Sequence, residues 1–151
     1  MTHPLLTCDI SKSWIKVSEL NLDHSKAKDK VIINITERYR NHLITYYFLK
    51  KWEDRLIFAG TKKEHELFCF QNKLEIPLLV VDNFLHLAQE IQSSKFLLGN
   101  QSMCYNISNA MKHKRLLEMC KGAPNCYPIG EGGHGFLHQD ALEIFMNKFM
   151  K

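Results

Sequence analysis

A three-layer α/β/α sandwich around a mainly parallel sheet is the fold class this sequence predicts. Three observations carry it. Short apolar runs alternate along the chain with longer segments of helical period. Gly, Pro, Asn or Asp bound most of the runs, and these residues stop strands and cap helices. The runs are apolar at consecutive positions, which suits strands covered on both faces. Strands that alternate with helices pair in parallel through crossovers.

The elements follow in order. "KVIINIT" (residues 30–36) is rich in β-branched residues and reads as the first strand. "RYRNHLITYYFLKKW" has apolar residues on more than one face and reads as a helix ending near Trp52. "RLIFAGT" (55–61) is a second strand, closed by Gly60, and "KKEHELFCFQNKL" a second helix. "IPLLVV" (76–81) is a third strand, and Pro77 assigns its start to an edge or a strand end.

"DNFLHLAQEIQSS" is a helix capped by Asp82 or Asn83, with Phe84, Leu87, Ala88 and Ile91 at i, i+3, i+4 and i+7. "KFLLG" is a fourth strand. Residues 103–113 form a helix with Met103, Ile107, Ala110 and Met111 on one face. "RLLEM" is a fifth strand, and "HQDALEIFMNKFM" closes as a helix with Leu142, Phe145, Met146 and Phe149 as its expected buried stripe. The expected architecture is a Rossmann-like sandwich with a sheet of about five strands. Residues 30–151 form that one domain, and the more polar residues 1–29 a lead-in arm.

The 151 residues suffice for one domain with a proper core. A formal charge of +4 permits an anionic ligand. It does not point to nucleic acid, because the Lys and Arg residues are scattered and no basic stripe with stacking aromatics is visible. Five cysteines (Cys8, Cys69, Cys104, Cys120, Cys126) are an odd, irregularly spaced set, which fits reduced thiols better than a disulfide framework. The N-terminus lacks the pattern of a signal peptide, and no apolar run approaches the roughly 20 residues of a membrane span. The expectation is a cytoplasmic protein.

In an open parallel sheet, ligands lie beyond the carboxyl ends of the strands. Here those ends are "TERYRN" (36–41), "GTKKEH" (60–65), Asp82-Asn83, "GNQS" (99–102) and "EMCKGAPN" (118–125). The "GNQS" turn has two readings. Glycine permits close approach, and the first amides of the following helix favour an anion. Equally, Asn100 or Ser102 caps the helix. "TERYRN" offers Arg38 and Arg40 as forks for phosphate or carboxylate, or a solvated first helical turn with Glu37 at its start. "GEGGHG" (130–135) lacks the Lys-Ser/Thr of a P-loop and reads as a mobile loop or lid. Cys120, Cys126, His134 and His138 match no common zinc spacing, so no metal site is expected. Neither a nucleophile elbow nor a convincing Cys/His catalytic pair is present.

"TERYRN", "FAGTKKEHELF", "FLLGNQS" and "KRLLEMCKGAPNCYPIG" occur in the order seen in glycosyltransferase-like proteins of bacteria and phages. From residue 9 to 150 the chain resembles the C-terminal half of GT-B enzymes related to the ADP-heptose:lipopolysaccharide heptosyltransferases. The resemblance implies a metal-free domain that binds a nucleotide-sugar as substrate, with no cofactor. It implies donor phosphates near Gly99, Asn100, Gln101 and Ser102. Thr36, Arg38 and Asn41 would line the cleft, Gly60, Thr61 and Glu64 the next rim, and Glu118 would follow strand five. The Asp-Ser-Gly and the histidine typical of heptosyltransferases are absent here, where Gln101, Ser102, Met103 and Asn106 stand.

Such enzymes place an acceptor domain before this half, and "DISKSWIKV" resembles the interdomain linker. The donor-side domain is therefore expected to be inactive unless a partner chain or second domain supplies the acceptor half. The alternative class is a non-catalytic α/β interaction module, with "YYFL" (46–49) and the arm around Trp14 as its candidate surfaces. A free-standing nucleotide hydrolase finds no catalytic constellation to support it.

Overall fold

The apolar runs at 31–34, 56–59, 96–99 and 115–118 become four neighbouring strands of one sheet. A computed structural model describes residues 9–18, 24–123 and 125–151, so Cys8 and part of the arm lie outside the described residues. The strands are β1 (Val31–Asn34), β2 (Leu56–Ala59), β3 (Leu78–Leu79), β4 (Phe96–Gly99), β5 (Arg115–Glu118) and β6 (Gly133–Phe136). The helices are α1 (Lys62–Asn72), α2 (Phe84–Ser93), α3 (Met103–Met111) and α4 (Gln139–Phe149). All pairings are parallel, in the order β3-β2-β1-β4-β5-β6. This is the Rossmann order, and the domain is a three-layer sandwich.

Strand alternation sorts the core into two halves. Val31, Ile33, Phe58, Phe96, Leu98 and Leu116 face α1 and α4, where they meet Phe68, Leu142, Met146 and Phe149. Ile32, Ile57, Leu79, Leu97 and Leu117 face α2 and α3, where they meet Leu87, Ile91, Tyr105 and Ile107. Each fully buried aliphatic of this kind contributes about 2 kcal/mol. The helices α1, α2 and α3 start where side chains satisfy their first amides. Thr61 and Glu64 form a reciprocal capping box on α1, Asn83 caps α2 and Ser102 caps α3. Lys73 and Lys112 close α1 and α3 in the left-handed conformation.

Two expectations are corrected. The helix expected to run to Trp52 is replaced by a loop, followed by a 3-10 segment, Tyr47–Arg55, that is itself interrupted at Trp52. Tyr39 has a positive φ of 58°, and an α-helix cannot pass through it. The loop's backbone groups find side-chain partners instead. Leu43 N–H donates to Asn41 Oδ1, Thr45 N–H to Gln139 Oε1 and Tyr46 N–H to Asn72 Oδ1.

The second correction is the strand count, which is six among the described residues. The segment read as a mobile glycine loop contains β6, paired residue for residue with β5 from Arg115↔Gly133 to Glu118↔Phe136. Its glycines answer to steric limits. A Cβ at Gly133 would lie 2.7 Å from Arg115 Nη2, and one at Gly135 would lie 2.6 Å from Met119 Sδ. The intervening His134 stacks near Phe145 and Phe149 of α4. β3 stands at the opposite edge, directly after Pro77, as its proline requires.

Candidate functional site

Strand order reverses between β1 and β4, and the crevice beyond their carboxyl ends is where this fold places ligands. The expected residues do gather there, but many of them are spoken for. Asn100 is fully buried. Its Oδ1 accepts from Thr36 N–H at 3.0 Å and from the Thr36 hydroxyl at 3.2 Å. Its Nδ2 donates to Thr36 O at 2.8 Å and Arg38 O at 3.0 Å. The two donors and two acceptors fix the amide orientation, so Asn100 clamps the loop after β1.

Ser102 works in the same way. Its Oγ accepts from Tyr105 N–H as the α3 cap and donates to Asn34 Oδ1. Asn34 Nδ2 in turn donates to Ala59 O at 2.6 Å, which ties the ends of β1, β2 and α3 together. Of the two readings of "GNQS", capping by Ser102 is what the structure displays. The close neighbour of Gly99 is the chain itself, since a Cβ there would lie 3.1 Å from Asn34 O. Thr61 and Glu64 are engaged with each other, with Thr61 N–H donating to Glu64 Oε2 at 2.8 Å.

Glu118 ends β5 almost fully buried. Its Oε1 accepts from Asn41 N–H at 2.7 Å and lies 3.2 Å from Arg40 Nε as an ion pair without hydrogen-bond alignment. Its Oε2 accepts from the Tyr46 hydroxyl. Burial pushes the Glu118 carboxyl above its ordinary range, and the Arg40 charge and the two hydrogen bonds only partly offset it. Asn41 Nδ2 also donates to Leu137 O. Buried Glu118 and partly buried Asn41 therefore support the 36–46 loop. Of the two arginines in "TERYRN", Arg40 is internal, while Arg38 is exposed with its guanidinium 5.7 Å from the Tyr39 ring centre.

What remains open lies beside this scaffold. The N–H groups of Gln101 and Ser102 make no hydrogen bond within the described chain, and the first amides of α3 follow them. Next to them runs a groove of about 450 Å³, bounded by Gly60, Thr61, Val80, Phe84, Met103 and Cys104. Its walls are apolar, and Val80, Phe84 and Met103 are more than half exposed at 61%, 67% and 56%. Cys104 sits at a helix N-terminus, which ordinarily acidifies a thiol. Here burial, with the nearby Glu64 charge, pushes it up to about 12, so it is a neutral wall residue and no nucleophile.

Among the described residues, no group of three or more His, Cys, Asp or Glu could hold a metal ion. No helix among them is long and apolar enough to cross a membrane. The "YYFL" surface is mostly internal, because Tyr46 and Leu49 are fully buried and Tyr47 alone of the four is strongly exposed. Trp14 of the arm is exposed, and its N–H donates to Ala110 O.

Sequence reasoning missed Asn34 and Val80, and it placed Phe84 and Met103 on the apolar faces of their helices, where the structure leaves both more than half exposed. Asn34 could have been noticed as a lone amide at the end of an apolar run. Val80, Phe84 and Met103 stand beside turns, where bulky apolar residues have no core to enter. Comparisons with protein-family models, with curated proteins and with solved structures give no match. The class of the protein rests on its fold and site: a parallel α/β domain of Rossmann order, with an apolar groove and a helix N-terminus at its carboxyl edge.

Proposed function

We propose that this chain is a nucleotide-binding domain, the donor side of a GT-B glycosyltransferase-like protein. The observation that carries it is the meeting of the apolar groove with the start of α3 at Met103 and Cys104. A base fits against Phe84, Val80 and Met103, and its phosphates reach the unpaired amides of Gln101 and Ser102. The groove volume of about 450 Å³ is within the range of small-ligand sites. Arg38 is the arginine of the 36–41 segment left to approach a phosphate. The side chains of Asn100, Ser102, Asn41 and Glu118 position the loops and do not touch the ligand.

Amide shifts of labelled protein titrated with ADP, UDP, GDP and CMP test this reading. Expected are shifts at residues 99–104 and 80–84, lost in a Phe84→Ala variant. No shift at about millimolar nucleotide, a free energy of only about −4 kcal/mol, would sink it. A second reading, the non-catalytic interaction module, is favoured by the exposure of Val80, Phe84, Leu85 and Met103 around the same groove. It predicts concentration-dependent broadening of those amides without nucleotide.

A further inference from the structure

The opposite edge of the sheet carries a different chemistry. In β2, β1 and β4, the residue before the strand is Arg55, Lys30 and Lys95, and before β5 it is Lys114. The register makes them neighbours. Val31 pairs with both Leu56 and Phe96, Lys95 N–H donates to Lys30 O, and Leu97 N–H donates to Lys114 O. Lys148, in the last turn of α4, joins them. Cations far apart in the chain thus become a row along one edge.

None of these five side chains forms an ion pair among the described residues, whose acid–base pairs lie elsewhere. Lys114 has its ammonium 3.8 Å from the centre of the Phe149 ring. Burial and the charges of Lys95 and Lys148 both lower its proton affinity. His134 beside it is lowered by burial and then by Lys148, Lys114 and Arg115. Asp29 and Asp54 adjoin Lys30 and Arg55 in sequence, in the β1–β2 half of the row.

We propose that this amino edge docks an acidic polypeptide segment. Four strands span about 14 Å, which an extended chain covers in about four or five residues, with alternate carboxylates about 7 Å apart. Nucleic acid fits less well. The rings beneath the cations, Phe96 and Phe149, are buried and unavailable for base stacking. The surface is independent of the nucleotide reading, because it lies at the other end of the strands.

The test is fluorescence anisotropy with labelled oligoglutamate and, separately, oligothymidylate of matched charge, at about 50 mM salt, where the Debye length exceeds 10 Å. The intact protein should bind oligoglutamate more tightly than oligothymidylate. The variant Lys95→Gln/Lys114→Gln/Lys148→Gln should bind oligoglutamate about tenfold or more weakly. Lys62→Gln/Lys63→Gln/Lys121→Gln, with the same charge change at exposed positions elsewhere, should stay within about threefold. Lys148→Glu, at an exposed site, repeats the loss without disturbing the Lys114–Phe149 contact. Equal weakening in both triple variants, tighter oligothymidylate binding, or no binding by the intact protein would overturn the proposal.

Discussion

Replacing Asn100 by aspartate tests the clamp at the switch point almost isosterically. One carboxylate oxygen keeps the two bonds from Thr36, its N–H and its hydroxyl. The other oxygen faces the Thr36 and Arg38 carbonyls, which now receive 2.8 and 3.0 Å donations from Nδ2. At neutral pH two hydrogen bonds of about 1 kcal/mol each are lost and a charge is buried against two carbonyl dipoles, so Asn100→Asp should cost about 3–5 kcal/mol. At acid pH the protonated oxygen donates to one carbonyl again, and the cost should fall to about 1–2 kcal/mol. The sign follows from linkage. The folded state holds this proton more tightly than the unfolded chain, so stability relative to wild type declines as pH rises above about 4. Urea unfolding of both proteins at several pH values gives the difference at each, provided m is unchanged. A deficit independent of pH, or one under about 0.5 kcal/mol at neutral pH, would refute the clamp.

Glu118→Ala should be about as damaging, because it strands the Arg40 guanidinium, whose side chain is only 9% exposed, together with Asn41 N–H and the Tyr46 hydroxyl. The expected loss is about 3–5 kcal/mol, seen as a drop of about 10 °C in Tm, and an unchanged Tm would count against the network. His113 is mostly buried beside Arg115 and Lys114, and burial first, then those charges, push it down to about 4. Stability that this histidine supports is full above about pH 6.5 and falls by about 3 kcal/mol as the pH drops to 4. His113→Gln should flatten that slope, and an unchanged slope would assign the acid sensitivity elsewhere.

Sequence pattern reveals an element when local forces define it. The β1, β2, β4 and β5 strands are consecutive apolar residues buried on both faces, and α2 and α4 carry their stripes at helical spacing. The segment after β1 looked helical because its apolar residues are many, yet its shape is set by Asn72, Glu118 and Gln139, all distant in sequence. β6 was hidden because Phe136 is its one bulky apolar residue. Its period of two was nonetheless present, with Gly133 and Gly135 on the face that meets Arg115 and Met119. At the candidate site, the polar residue types gather at the carboxyl edge of the sheet, as their places at strand ends imply. Their partners could not be read, because an amide that clamps a loop and an amide that holds a phosphate have the same side chain.

The clamp also has a kinetic consequence. Thr36 and Asn100 are separated by 64 residues, and β1 pairs with β4 across a similar distance. A chain emerging from its N-terminus can form β1, β2 and α1 early, but the second neighbour of β1 arrives only after α2 has been made. Loop closure over such distances is slow, as in other parallel sheets. Until then the Thr36 amide and the Ile32 and Ile33 side chains await their partners. The nascent chain therefore passes through a stage in which its future central strand is an edge, and β4 is the segment that ends that exposure.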